Sequence, residues 1–186
     1  MMASCVQGED TMATRKVVGK AKKTARRVRT KTRKRSTRPQ DAKTRKLISG
    51  LAALVVKVFV TDHPKLRKRY LAKLDFSPAS LRALDGLIKN IWGGERPSDK
   101  YFDDMVWGYG GYVAEVIQRS HEGFWRKSEH RGYDFECTRD ASLTGFGFNP
   151  WSWAYKRFDE GDLLAAKYNM ITGIAAHLSK NKTAAR

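Results

Sequence analysis

Four residues in one stretch of the chain combine small size with acid chemistry: Asp104, Gly108, Gly111 and Glu115, separated by four, three and four positions. On an α-helix those intervals place all four along one face. The two glycines then form a groove with a carboxylate at either end, the candidate pocket of this chain. Gly108, Gly110 and Gly111 each cost a helix interior about 1 kcal/mol relative to Ala, and something must offset that. Close approach of another helix or strand, with Glu115 held by an arginine, is one such compensation. A ligand groove in which Glu115 is a functional carboxylate is the other. A reaction needs more than one group, and the sequence names no base, nucleophile or metal partner for Glu115.

Other reactive residue types do not assemble into a site. His121, His130 and Cys137 match no ligand spacing used for zinc and lack a fourth ligand, so no metal is expected. Ser120, His121 and Glu122 are adjacent, which spreads their side chains over different helix faces and argues against a triad. Patterns for a phosphate-binding loop, a nucleophile elbow, a zinc protease helix or a dinucleotide fold do not occur. Gly145-Phe146-Gly147-Phe148 has no basic neighbour to hold a phosphate and reads as a glycine-kinked strand. No catalytic residue and no cofactor are therefore expected. Cys5 and Cys137 form no disulfide framework, which points to a reducing compartment.

The elements that carry these residues are legible from periodicity. Leu47, Leu51, Leu54, Val55, Val58 and Phe59 predict a largely buried first helix ending before Pro64. Lys65 to Lys73 predicts a short second helix with Leu66, Tyr70 and Leu71 on one side and Lys65, Arg67, Lys68, Arg69 and Lys73 elsewhere. Ser77-Pro78 opens a third helix through Leu81, Leu84, Leu87, Ile88 and Ile91 to Gly93-Gly94. Ser98 caps a long helix running to about His121. Tyr133, Phe135 and Cys137 then alternate with Asp134, Glu136 and Thr138 as a half-buried strand, flanked by strands at 124–128 and 143–148. Asn149-Pro150 opens another helix and Gly161-Asp162 the last. Helices, a small antiparallel sheet and helices again give an α+β class, with the helices packed on a three-stranded meander. Fifteen of the twenty aromatics lie between Tyr101 and Phe158. Trp151, Tyr155 and Phe158 share a helix face and read as core, leaving Trp153 outside it beside Lys156 and Arg157, where interleaved rings and cations can stack on bases.

Tyr109-Gly110-Gly111-Tyr112-Val113-Ala114-Glu115-Val116-Ile117, then Gly123-Phe124-Trp125, Asn149-Pro150-Trp151 and Lys156-Arg157-Phe158-Asp159-Glu160-Gly161, resemble a family of small bacterial α+β domains of unknown function. That family is marked by a helix of the type Gly-x-Tyr-hydrophobic-Gly-Glu, a Gly-x-Trp strand and an Asn-Pro helix start. The resemblance spans about residues 81–168, and Ala114 stands where a second glycine is expected. It implies the α+β fold and a bacterial setting, and adds no catalytic residue.

Charge divides the chain of 186 residues, whose formal net charge is +18. Residues 1–46 carry sixteen Lys and Arg against Glu9, Asp10 and Asp41, a net of +13, and residues 47–186 carry +5. Thirteen like charges between Arg15 and Arg38, with no acid and no aromatic among them, predict a disordered basic arm attached to one folded domain beginning at residue 47. Its cations displace condensed counterions from phosphate backbones without reading sequence. Lys20, Lys22, Lys23, Arg26, Arg27, Arg29, Lys31, Arg33, Lys34, Arg35 and Arg38 are the candidate nucleic-acid contacts, for DNA or RNA alike. In composition the arm resembles the tails of linker-histone-like and ribosomal proteins. Two other roles stay open for it, a solvated polycation that aids solubility and a targeting segment. Met12-Ala13-Thr14 reads as an alternative start. The apolar run from Leu47 to Val60 is interrupted by Lys57 and is shorter than the ~18 to 20 residues a membrane span needs. The expected whole is a non-enzymatic, nucleic-acid-associated protein of the cytoplasm or nucleoid, whose folded domain binds a macromolecular partner, an unidentified protein. The alternative is an enzyme or small-ligand domain using the Gly108/Gly111 groove and Glu115.

Overall fold

Apolar stripes at helical spacing fold against a short alternating β segment, and the computed structural model describes the result for residues 39–138 and 147–184. In order these are α1 (Pro39–Asp62), α2 (Pro64–Tyr70), a single 3-10 turn (Leu71–Lys73), α3 (Ser80–Trp92), α4 (Asp99–Ser120), β1 (Gly123–Lys127), β2 (Tyr133–Cys137), β3 (Gly147–Phe148), α5 (Pro150–Asp159) and α6 (Leu164–Ala184). The sheet is an antiparallel meander in the order β1-β2-β3. Trp125 pairs with Phe135, and Phe135 with Phe148, so that three rings share the buried face. The class is α+β, with six helices around a three-stranded antiparallel sheet among the described residues.

The organising element is α4. Its stretch from Tyr109 to Ile117 is buried throughout, with α1 lying along one side and α5 along another. Such proximity needs small residues at the crossings. A methyl group on Gly111 would stand 2.6 Å from Leu51 Cβ, and one on Gly110 would stand 2.6 Å from the Trp151 ring. Those distances are far inside van der Waals contact, which accounts for the glycines that helix propensity disfavours. Gly132, in the turn between β1 and β2, meets the same Trp151 ring and also has φ of +66°, so a side chain there is excluded twice over.

Several boundaries differ from the sequence expectation. The first helix starts at Pro39 rather than Leu47, and its first turns belong to the folded body: Asp41 and Thr44 are buried. Asp41 Oδ1 accepts from the Trp125 backbone N–H at 2.9 Å, and Asp41 Oδ2 accepts from Arg45 Nε at 2.9 Å. Arg45 in turn donates to the Gly123 carbonyl oxygen. Part of the segment assigned to the arm therefore stitches α1 to β1. Nor is α1 buried all round, because Leu47, Leu54 and Val58 are exposed. Trp153, placed outside the core by periodicity, is buried against Phe148 with ring centroids 6.0 Å apart, because β3 packs on the second face of α5. Asn149 caps α5 as expected, its side-chain oxygen accepting from Ser152 N–H at 2.8 Å. The same side chain donates to Asp134 Oδ1 at 2.9 Å and to the Arg131 carbonyl at 3.0 Å, locking the hairpin turn to the helix. The arm cations from Lys20 to Arg38 and the start of the expected third strand, at 143–146, lie outside the described residues.

Candidate functional site

The predicted groove on α4 is divided by the helix that covers it. At one end Gly111 sits beneath Leu51, and Glu115, though buried, has both oxygens occupied. Ser49 Oγ donates to its Oε2 at 2.8 Å, Gln118 Nε2 donates to the same oxygen, and Arg119 Nε donates to Oε1 at 2.6 Å. The Arg119 guanidinium lies 4.5 Å from the centre of the Phe76 ring, and Gln118 Oε1 accepts from Trp125 Nε1 at 3.1 Å. Glu115 thus ties α1, α4 and β1 together, the arrangement a packing role requires. At the other end Gly108 and Asp104 border a cavity of about 400 Å³ between α1, the end of α3 and α4. Its walls include Leu54, Val58, Trp92, Trp107 and Tyr109. Burial pushes the Tyr109 phenol well above its ordinary value.

A second site lies on the opposite chemistry. Lys65, Arg67, Lys68, Arg69 and Lys73 are exposed along α2 and the 3-10 turn. Arg69, Lys73 and Arg82 line a shallow polar groove of about 530 Å³ between α2 and α3, with Asp75, Ser77 and Ser80 also on its rim. The Asp75 carboxyl is held below its ordinary value by hydrogen bonds from Ser77. Tyr112 forms part of the support beneath: its hydroxyl donates to Ser80 Oγ at 2.9 Å and accepts from Phe76 N–H at 3.3 Å.

Arginine pairing separates this surface from the rest of the body. Arg45, Arg96, Arg119, Arg126, Arg131 and Arg157 each have a carboxylate partner. Arg67, Arg69 and Arg82 have none among the described residues, and neither has Lys65, Lys68 or Lys73. The α2–α3 face therefore gathers six cations without a carboxylate ion-pair partner among the described residues. The sequence signal for it was the alternation of five cations with Leu66, Tyr70 and Leu71. Arg82 was not visible as a contributor, because only the packing of α2 on α3 brings it to the same groove.

The aromatic cluster beside Lys156 and Arg157 is core. Arg157 is buried, and its Nε donates to Asp85 Oδ1 at 3.1 Å. Asp85 also accepts from the Leu164 and Ala165 backbone N–H groups at 3.1 and 3.0 Å, so a carboxylate of α3 caps the first turn of α6. Among the described residues no group of three His, Cys, Asp or Glu could hold a metal, and no helix is long and apolar enough to cross a membrane. Comparison with family models, with curated proteins and with solved structures finds no match for this chain.

Proposed function

We propose that the chain is a non-enzymatic nucleic-acid-associated protein in which the basic arm and the α2–α3 face together contact phosphate backbones. The carrying observation is the pairing asymmetry: six arginines of the body are neutralised by carboxylates, while Arg67, Arg69 and Arg82 are left exposed to a polyanion. A formal charge of +13 in residues 1–46 supports the same partner. Neither surface presents an aromatic platform of the kind that reads or stacks on bases: the arm has none, and Tyr70 is buried under Asn90 and Gly86. Binding is accordingly independent of sequence and shared by DNA and RNA. In this reading the protein works in the cytoplasm or nucleoid, and the folded body also serves as a docking module for a macromolecular partner, an unidentified protein.

Salt dependence tests this reading. On duplex DNA each neutralised phosphate adds about −0.9 to the slope of log affinity against log salt, and on single strands about −0.7. Replacing Lys20, Lys22, Lys23, Arg26, Arg27, Arg29, Lys31, Arg33, Lys34, Arg35 and Arg38 by Gln should remove most of that slope. The quadruple variant Arg67→Gln, Arg69→Gln, Lys73→Gln, Arg82→Gln should flatten it by up to ~3.6 while leaving thermal unfolding unchanged, since all four side chains are exposed. A slope near zero for the native chain defeats the proposal. An unchanged slope in the quadruple variant confines binding to the arm.

A further inference from the structure

The cavity between α1, α3 and α4 has a chemistry of its own, distinct from the phosphate-facing surface. Trp92, Trp107 and Tyr109 supply three aromatic walls, with the Trp92 and Tyr109 rings edge to face at 6.0 Å. Two exposed carboxylates, Asp62 and Asp104, stand on its lining. Neither has an ion pair or hydrogen bond among the described residues, although the chain as a whole carries an excess of eighteen positive charges. Asp62 also closes α1, whose last turn holds no basic residue, so the carboxylate adds to the negative end of the helix dipole instead of balancing it. A helix C-terminus and two unneutralised acids favour positive charge, the aromatic rings on the lining suit an alkylated cation, and the apolar remainder of the wall, with Leu54 and Val58, favours a hydrocarbon body.

We propose that this cavity binds a small organic cation with an apolar body, of the quaternary or alkylated ammonium class. A volume of about 400 Å³ is of the size that holds such molecules. A bare inorganic cation would find Asp62, Asp104 and His63 on the lining but no group of three side chains placed to hold a metal among the described residues, and would forfeit hydration against the rings. An anion would meet the wrong sign of charge. Uncharged hydrocarbons would fill the space without using Asp62 or Asp104, which makes charge the discriminating variable.

The test uses the full chain and a pair of isosteric probes, phenyltrimethylammonium and uncharged tert-butylbenzene, titrated against intrinsic tryptophan fluorescence with calorimetry as a check. The cation should bind saturably and about tenfold or more tightly than its neutral isostere, the difference that ring faces and nearby carboxylates can supply. Asp104→Asn and Asp62→Asn should each weaken the cation several-fold and leave the neutral probe unchanged. Trp107→Leu should weaken both probes, the cation more. Both aspartates are exposed, so unchanged thermal unfolding of the Asn variants confirms that folding is not the cause. Absence of saturable cation binding, equal affinity for the two probes, or indifference to both Asn substitutions overturns the proposal. The Arg67, Arg69, Lys73 and Arg82 variant should bind the cation normally, so this site and the nucleic-acid reading stand or fall separately.

Discussion

Asp85 joins three helices through one side chain. It lies on α3 among Leu81, Leu84, Leu87 and Ile88, and from there reaches Arg157 of α5 and two backbone N–H groups of α6. At neutral pH Asp85→Ala should cost about 3–5 kcal/mol, because it leaves a buried guanidinium and two helix N–H groups without their acceptor. The carboxyl also has a recognisable pH signature. Burial raises it above its ordinary 3.8, outweighing the amide hydrogen bonds and Arg157, which pull it down. A carboxyl that holds its proton more tightly in the fold contributes most below its unfolded value, and stability falls as pH climbs from about 3.8 through the raised folded value. Urea midpoints of the native chain should show that decline and those of Asp85→Asn should lack it. A native stability that rises over the same interval would mean that the ion pair, not burial, dominates. An acid on the apolar stripe of α3 was the sequence signal for this node; its partners, more than seventy positions away, were beyond any local pattern.

Glycines on the two packed helices test how α1 and α4 meet. Gly111→Ala gains about 1 kcal/mol of helix propensity but forces a methyl to 2.6 Å from Leu51 Cβ, and over-packing of that kind costs about 1–3 kcal/mol or more. The balance should be destabilising. Gly50, on α1, has nothing within 4 Å of the position a Cβ would take, so Gly50→Ala should stabilise by about 0.5–1 kcal/mol. Opposite shifts of the thermal midpoint for two chemically identical substitutions would establish the close crossing; shifts of one sign would refute it. The spacing of Asp104, Gly108, Gly111 and Glu115 correctly marked one helix face. Periodicity could not say that α1 would run along that face, with Leu51 over Gly111 and Val55 over Gly108, and leave a cavity beside Asp104 and Gly108. Asn149-Pro150 and the alternation from Tyr133 to Cys137 were legible because cap chemistry and a period of two act locally. Trp153 was misplaced because α5 is covered on two sides, and a one-face pattern has no way to register the second cover.

At the scale of the whole chain, a boundary drawn from charge obscures where the folded body starts. Asp41, Thr44, Ile48, Ala52 and Val55 are all buried at spacings of three and four, a helical stripe whose first two members are polar. Hydrophobicity therefore begins the helix at Leu47, while the structure begins it at Pro39. Between the two starts lie the Asp41 carboxylate, which receives the Trp125 N–H, and Arg45, which reaches the Gly123 carbonyl. A chain beginning at residue 47 leaves that buried strand N–H without an acceptor and removes the buried Asp41 and Thr44 from the α1 stripe. It should be less stable than a chain beginning at residue 39 by about 3 kcal/mol, or roughly 10 °C in Tm. Asp41→Ala in the full chain should reproduce a large part of that difference, because the orphaned donor accounts for it and the bulk of the segment does not. Equal midpoints for the two truncated chains would return residues 39–46 to the arm, and with them the charge boundary as the true limit of the fold.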